Sequence, residues 1–460
     1  MIPISGNKKV LNDLTQGPVL RQLILFSLPL MAAYALQAVY NVVDMIVVGQ
    51  FVGATGLSAV GIGGQIQNLL MFIGMGFGSA AQVLIAQQVG AGDYDGLRRT
   101  IGTSLTLMGL LSVVVGGLCA VVCRPVLGLL NTPAEALADA HAYCMVCCAG
   151  MVFIFGYNGI CAILRGMGES RLPMYFVGVA AVINVVLDLL FVAVFSMGAS
   201  GAALATVIAQ GCSFALALVC LYRRRESFHF DFRPASFRPQ ADRCRGLFKL
   251  GIPMIIQSVM IAVSVMFVNA HVNTFGVAAS AVDGVGNKLN TISFTLTNAL
   301  GVAAAAMIGQ CFGARKHDRL KKVFWYTTAI SMSIFVVLAC VSLLFPEQLF
   351  RLFTSDESVI AYASGFMRIA VLYYLANCTM LTPYSLLEGT GSAGLSLVIG
   401  ILDGVVARIG LCWLLGAKFG LYGFWLGSAL AGFVTTIGGS IYYFSGKWKT
   451  KKLVLHGAEQ

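Results

Sequence analysis

Charge is what this sequence has least of. Asp, Glu, Lys and Arg together make up 11% of its 460 residues, where a soluble domain carries about 25%. A water-soluble fold of this length needs a polar surface, and too few polar side chains are present to supply one. Histidine is also scarce. His141, His229, His271, His317 and His456 are scattered along the chain, with no pair at metalloprotease spacing. An intramembrane enzyme would need a metal or nucleophile–base constellation, and none is present. The first twenty residues, MIPISGNKKVLNDLTQGPVL, have no continuous apolar core and no small-residue cleavage pattern. They read as a short cytoplasmic lead-in and not as a signal peptide.

What is abundant is hydrophobic: 58% of the residues, in recurrent apolar runs of ~20 or more, the length that crosses ~30 Å of hydrocarbon. The expected fold is therefore an all-α polytopic membrane protein. Twelve transmembrane helices are expected at 20–48, 59–85, 98–123, 140–163, 172–195 and 199–222, then at 247–272, 280–308, 321–345, 359–386, 393–417 and 421–444. The single long polar interruption, 223–246, divides the chain into an N-terminal six-helix lobe (1–222) and a C-terminal one (247–445), followed by a tail, 446–460.

Most of the 30 Lys and Arg fall in alternate loops and the two tails: Lys8, Lys9 and Arg21, Arg98 and Arg99, Arg165 and Arg171, Arg223 to Lys249, Arg315 to Lys322, and Lys447 to Lys452. This positive-inside alternation places both termini in the cytoplasm of a multi-pass protein of the cell (inner) membrane. It also accounts for the net charge of +11 without nucleic acid, so the basic segment 223–246 is expected to lie on an anionic leaflet. The thirteen cysteines sit mostly inside apolar stretches and read as free buried thiols. The group His141, Cys144, Cys147 and Cys148 resembles a metal spacing, but it has no second cluster to complete a tetrahedron. Packing is its expected role.

The two halves repeat. FSLPLM (26–31) matches LGIPMI (250–255), Ser58 matches Ser280, Gly90 matches Gly313, Gly166 and Gly168 match Gly389 and Gly391, and Gly198 and Gly201 match Gly420 and Gly423. The offset stays between 222 and 224. The lobes are thus two pseudo-symmetric six-helix bundles in the same orientation, a plan in which transporters place the substrate path between halves. Pro29 and Pro253 sit early in the first helix of each half. Each removes a backbone hydrogen bond, and reads either as a tolerated kink or as a helix-bending element.

Few carboxylates fall within the spans: Asp44, Asp188, Asp283 and Asp403. A carboxylate at the bilayer centre costs about 3 kcal/mol or more, so each needs a reason. Asn184 and Asp188 lie about 40° apart on one helix face. Asn41 and Asp44, at i and i+3, share a face of the first span, and Thr206 of the sixth span lies at a matching depth. Asp403 and Arg408, five apart, share a face poorly, so a structural role there is as well supported as a functional one, and the part played by Asp283 is open. Shifting Asp44, Asn184 and Asp188 by the repeat offset lands on Val268, Ala407 and Leu411. Only the first half carries the acidic group. Two carboxylates in low dielectric do not readily hold two charges, which leaves a proton to exchange or a small cation to bind.

The repeat, NVVDMIVVG in the first span, LRGMGESRLPM (164–174) and NVVLD in the fifth span together resemble the multidrug and toxic compound extrusion (MATE) transporters over essentially the whole chain. In that family an Asp of helix 1, an Asn and an Asp of helix 5 and a Thr of helix 6 form a cation site. They match Asp44, Asn184, Asp188 and Thr206. The resemblance implies a monomeric exporter of amphipathic, cationic small molecules, coupled to protons or sodium ions and using no other cofactor. One branch of the family also has acids in helices 7 and 10. Here 253–272 has none, and 359–386 offers Arg368 and Asn377, which favours coupling in the N-terminal lobe. The competing reading is a flippase of a lipid-linked saccharide, against which the few intramembrane cations, Lys288, Arg368 and Arg408, weigh.

Overall fold

A computed structural model describes residues 13–130 and 132–455, apart from the side chain of Ala54. Lys8 and Lys9 of the lead-in, and residues 456–460 with His456, lie outside the described residues. Every regular element among the described residues is helical. The first six long helices are α1 (Val19–Phe51), α2 (Gly53–Ala91), α3 (Tyr94–Leu129), α4 (Ala134–Ala149 and Met151–Gly166, bent by 51° between the two), α5 (Arg171–Asp188, continued by a π-helical turn, Leu189–Val194) and α6 (Gly198–Arg223). The second six are α7 (Ala241–Asn273), α8 (Val277–Gly313), α9 (His317–Leu344), α10 (Ala363–Gly389), α11 (Ala393–Ile401, a π-turn Leu402–Ala407, then Arg408–Phe419) and α12 (Leu421–Ala431 and Phe433–Phe444).

Ten of these are single helices long and apolar enough to cross a membrane, and the bent α4 makes one more. The remaining helix, α10, is long enough but less apolar, and its polar groups find protein partners in place of lipid. Asn377 donates to Thr297 Oγ1 at 3.1 Å, Ser385 donates to the Gly301 carbonyl at 3.0 Å, and the Cys378 carbonyl accepts from Ser331 at 2.7 Å. A helix enclosed by its neighbours can carry polarity that a lipid-facing helix cannot.

The sequence repeat is also a backbone repeat. Positive φ occurs at Gly53 and Gly276, Gly92 and Arg315, Gly168 and Gly391, and Gly198 and Gly420, all pairs related by the repeat offset. Arg315 is the one member with a Cβ, so only there does this backbone carry a steric cost. Close approach repeats as well. A Cβ on Gly166 would lie 2.7 Å from the Gln82 carbonyl oxygen, and one on Gly389 would lie 2.7 Å from that of Ala305. Small residues at these crossings are how helices pack without a hydrophobic drive between them.

The helices group into two compact units. One contains Leu28–Gly251; the other contains Leu14–Ser27 together with the chain from Ile252 onward. The division therefore falls inside α1 and α7, just before Pro29 and Pro253. Within the second unit, the start of the chain is tied down by α9: Arg319 donates to the carbonyls of Leu14, Gln16 and Gly17, and Lys316 donates to Thr15. Within the first unit, the segment 223–246 is folded onto α3 instead of lying loose. Phe228 and Phe230 are buried, Thr106 donates to the Phe237 carbonyl at 2.7 Å, and Thr103 accepts from Gln240 N at 3.3 Å. In the same segment the Ser236 hydroxyl, with the Arg233 amide, Arg98 and the Arg233 side chain, holds Asp231 below the usual carboxylate range.

Candidate functional site

Three helices of the first unit each contribute two polar residues one turn apart. Tyr40 and Asp44 come from α1, Asn184 and Asp188 from α5, and Thr206 and Gln210 from α6. Residues at i and i+4 stack on one helix face, so three such pairs build a polar patch inside an otherwise apolar unit. Asn184 is 2% exposed and Asp188 is fully buried. Asn184 donates from Nδ2 to Thr206 Oγ1 at 3.3 Å, which ties α5 to α6. The carboxylates of Asp44 and Asp188 are close enough to interact electrostatically. The buried Tyr40 points its hydroxyl toward Gln37 and Gln210 and feels Asp44. Tyr143 and Cys147 of α4 face Asp44 from another side and are both bonded to Gln67 Oε1, at 3.1 and 3.4 Å.

The chemistry of the patch lies in what its oxygens lack. Asp44 Oδ1, Asn184 Oδ1, Asp188 Oδ1 and Oδ2, and Gln210 Oε1 are all buried with no hydrogen-bond donor among the described residues. Buried polar atoms are nearly always paired, and a buried charge without a partner is costly. Acceptors gathered this way, with two carboxylates among them, fit a proton or a small hard cation.

The sequence placed Asp44, Asn184, Asp188 and Thr206 together, and the structure does so too. Asn41 does not join them. It is exposed on α1, because three residues back from Asp44 is a rotation of about 60° to one side, whereas four back is about 40° to the other. Tyr40 takes that place. Gln210 escaped the sequence reading. Its signal was an amide four residues after Thr206 inside an apolar helix. Pro29 and Pro253 are half-buried near the starts of α1 and α7 and away from the oxygens.

The second unit treats its carboxylates differently. Asp283 Oδ1 accepts from Trp425 Nε1 at 3.1 Å and Oδ2 from Asn287 at 3.0 Å, with the Asn269 amide able to donate at 3.3 Å. Asp403 accepts from Thr435 at 2.6 Å and pairs with Arg408 at 3.5 Å. That pairing corrects the expectation that residues five apart diverge. Asp403 lies in the π-turn Leu402–Ala407 and Arg408 directly follows it, and i→i+5 winding brings positions five apart into line. Arg368 is exposed, and Asn377 is occupied in helix packing. Among the described residues no group of three or more His, Cys, Asp or Glu is arranged to hold a metal, and Cys144, Cys147 and Cys148 are buried free thiols.

A sequence profile of the MatE family matches the chain twice, at 29–190 and at 253–414. The chain belongs to the MatE family. Both matches begin at the prolines, Pro29 and Pro253, and they reproduce the internal repeat. Among curated relatives, the chain is 29% identical to the "Probable multidrug resistance protein YpnP" of Bacillus subtilis, covering 96% of this chain and 98% of that one. It is 23% identical to the "Multidrug export protein MepA" of Staphylococcus aureus, over 89% and 90% of the two chains. A solved structure described as an outward-facing conformation of a multidrug resistance MATE family transporter superposes with a TM-score of 0.90 at 22% identity, covering 97% of this chain and all of that one. The family consists of multi-pass membrane transporters for small molecules and not of enzymes, and this chain carries its twelve-helix fold.

Proposed function

We propose that this chain is a secondary active transporter that exports amphipathic, cationic small molecules in exchange for protons or sodium ions by alternating access. It acts as a single chain in the cell membrane with both termini cytoplasmic. The observation that carries this reading is the set of donor-less buried oxygens on Asp44, Asn184, Asp188 and Gln210, set against Asp283, both of whose oxygens accept hydrogen bonds, and Asp403, which accepts from Thr435 and has Arg408 as counter-charge. The names of the relatives, both multidrug proteins, support the substrate class.

A bound proton or sodium ion supplies the positive charge that the two carboxylates lack. The chain's own residues do the rest. Thr206 accepts from the Asn184 nitrogen, which fixes that amide with its oxygen left as a free acceptor. Tyr40 stands beside both Gln210 and Asp44, and the burial of Asn184 and Asp188 keeps the local dielectric low. Low dielectric makes the uncompensated pair unstable, so Asp44 and Asp188 favour whichever conformation gives them a cation. Export follows if substrate favours the opposite conformation, since each ligand shifts the equilibrium only by its differential affinity. The test is efflux of a fluorescent cationic dye from proteoliposomes under separately imposed proton and sodium gradients. One gradient should drive it, and Asp188→Asn should abolish the response. Dye movement indifferent to both gradients would sink the exchange reading.

A further inference from the structure

Cysteines recur along α3 and α4 at one-turn spacing: Cys119 and Cys123 on α3, Cys144 and Cys148 on α4. Consecutive helices joined by a short turn run antiparallel. Stepping up one helix by four residues therefore matches stepping down the other by four, and 119 with 148 and 123 with 144 satisfy that register. The register sets Cys119 across from Cys148 and Cys123 across from Cys144, and the thiols of each pair are near enough to interact. Gly116 lies on the same ladder. A Cβ there would fall 2.8 Å from the Cys148 carbonyl oxygen and 3.4 Å from the Met151 Cβ. Its missing side chain lets the two backbones approach closely, as a disulfide between them requires. All four cysteines are buried in one apolar cluster and all are free thiols. The transport reading uses none of them.

We propose that the two rungs are a modification site, a redox staple in which a small uncharged hydroperoxide oxidises Cys119 with Cys148 and Cys123 with Cys144 to disulfides. In each rung one thiol gives up its proton and attacks the peroxide O–O bond, forming a sulfenic acid and releasing water or an alcohol. The partner thiol then displaces the hydroxyl, which leaves as water with that thiol's proton. Two electrons pass from the two sulfurs to the peroxide per disulfide. The paired arrangement assists the first step at Cys119, because the S–H of Cys148 can donate to the Cys119 sulfur as that sulfur ionises. An uncharged oxidant is required because the thiols are buried, and a sulfenic acid formed there meets its resolving partner at once.

The staple lies beside the bend in α4. The break in α4 falls at Gly150, two residues beyond Cys148. A bond from Cys148 to α3 fixes the half of α4 that precedes the break, and that half carries Tyr143 and Cys147, which face Asp44. Oxidation would thus stiffen one wall of the acidic patch.

The test is made on the full chain in native membranes and does not depend on transport. Membranes are treated with hydrogen peroxide, the protein is denatured in an alkylating maleimide, and digested peptides are mapped. The exposed Cys212 and Cys340 report that oxidant has reached the protein. The expected result is two linked peptides, 119 with 148 and 123 with 144, both cleared by dithiothreitol. The double variant Cys119→Ala, Cys123→Ala should lose both links and leave Cys144 and Cys148 fully alkylated. Oxidised Cys212 and Cys340 with the four ladder thiols still alkylated overturns the proposal, and so do links that join other pairs.

Discussion

Asp188 and Asp403 are the same side chain in repeat-related helices, but their surroundings differ. Asp403 accepts from Thr435 and pairs with Arg408, whereas both oxygens of Asp188 are buried without a donor. Asp188→Asn and Asp44→Asn keep the volume and remove the titration. Each variant should insert normally yet lose gradient-driven dye efflux, because it removes a coupling typically worth about 5- to 150-fold in affinity. Asp403→Asn under the same gradient should change it far less. Gln210 and Asn41 make a second comparison, since both are intramembrane amides but only Gln210 reaches the patch. Gln210→Ala should therefore shift the ion concentration for half-maximal efflux, while Asn41→Ala should leave it where it was. An equal shift from both would mean that the patch is wider than the six residues described.

At the scale of elements, the π-turn of α11 and the proline of α1 carry separate consequences. The π-turn aligns Asp403 with Arg408, and both side chains are nearly buried. Arg408→Met leaves Asp403 without its counter-charge and should destabilise the protein by about 3–5 kcal/mol, read as a lowered melting temperature in detergent. The double change with Asp403→Leu should recover much of that loss. Pro29 cannot donate to the Leu25 carbonyl one turn back, a gap in the helix ladder that falls where α1 passes from one compact unit to the other. Pro29→Ala closes the gap, so it should leave folding intact and slow dye efflux. Undiminished efflux would leave Pro29 as a passive kink.

At the scale of the whole molecule, the proposed topology, with both termini cytoplasmic, puts 223–246 on the inner face, and Phe228 and Phe230 of that segment are buried. Protease should therefore cut it only from the inner side, in inverted vesicles, and slowly for a stretch so rich in Arg. Cutting in right-side-out vesicles would reverse the topology.

The sequence by itself determined that the chain lives in a membrane, that it is built twice, and that four residues of the acidic group belong to one half. These follow from properties that run along the chain: apolar length against bilayer thickness, a constant repeat offset, and the cost of a carboxylate wherever it falls in a span. Helical rotation was enough to join Asn184 to Asp188. Only the tertiary structure decided which way α1 turns about its axis, and so chose Tyr40 over Asn41 beside Asp44 and brought in Gln210. It also decided that a π-turn pairs Asp403 with Arg408, that α1 and α7 are each divided between the two units, and that 223–246 folds onto α3. Each depends on how a helix is wound or on what stands across from it, and neighbours distant in sequence set both.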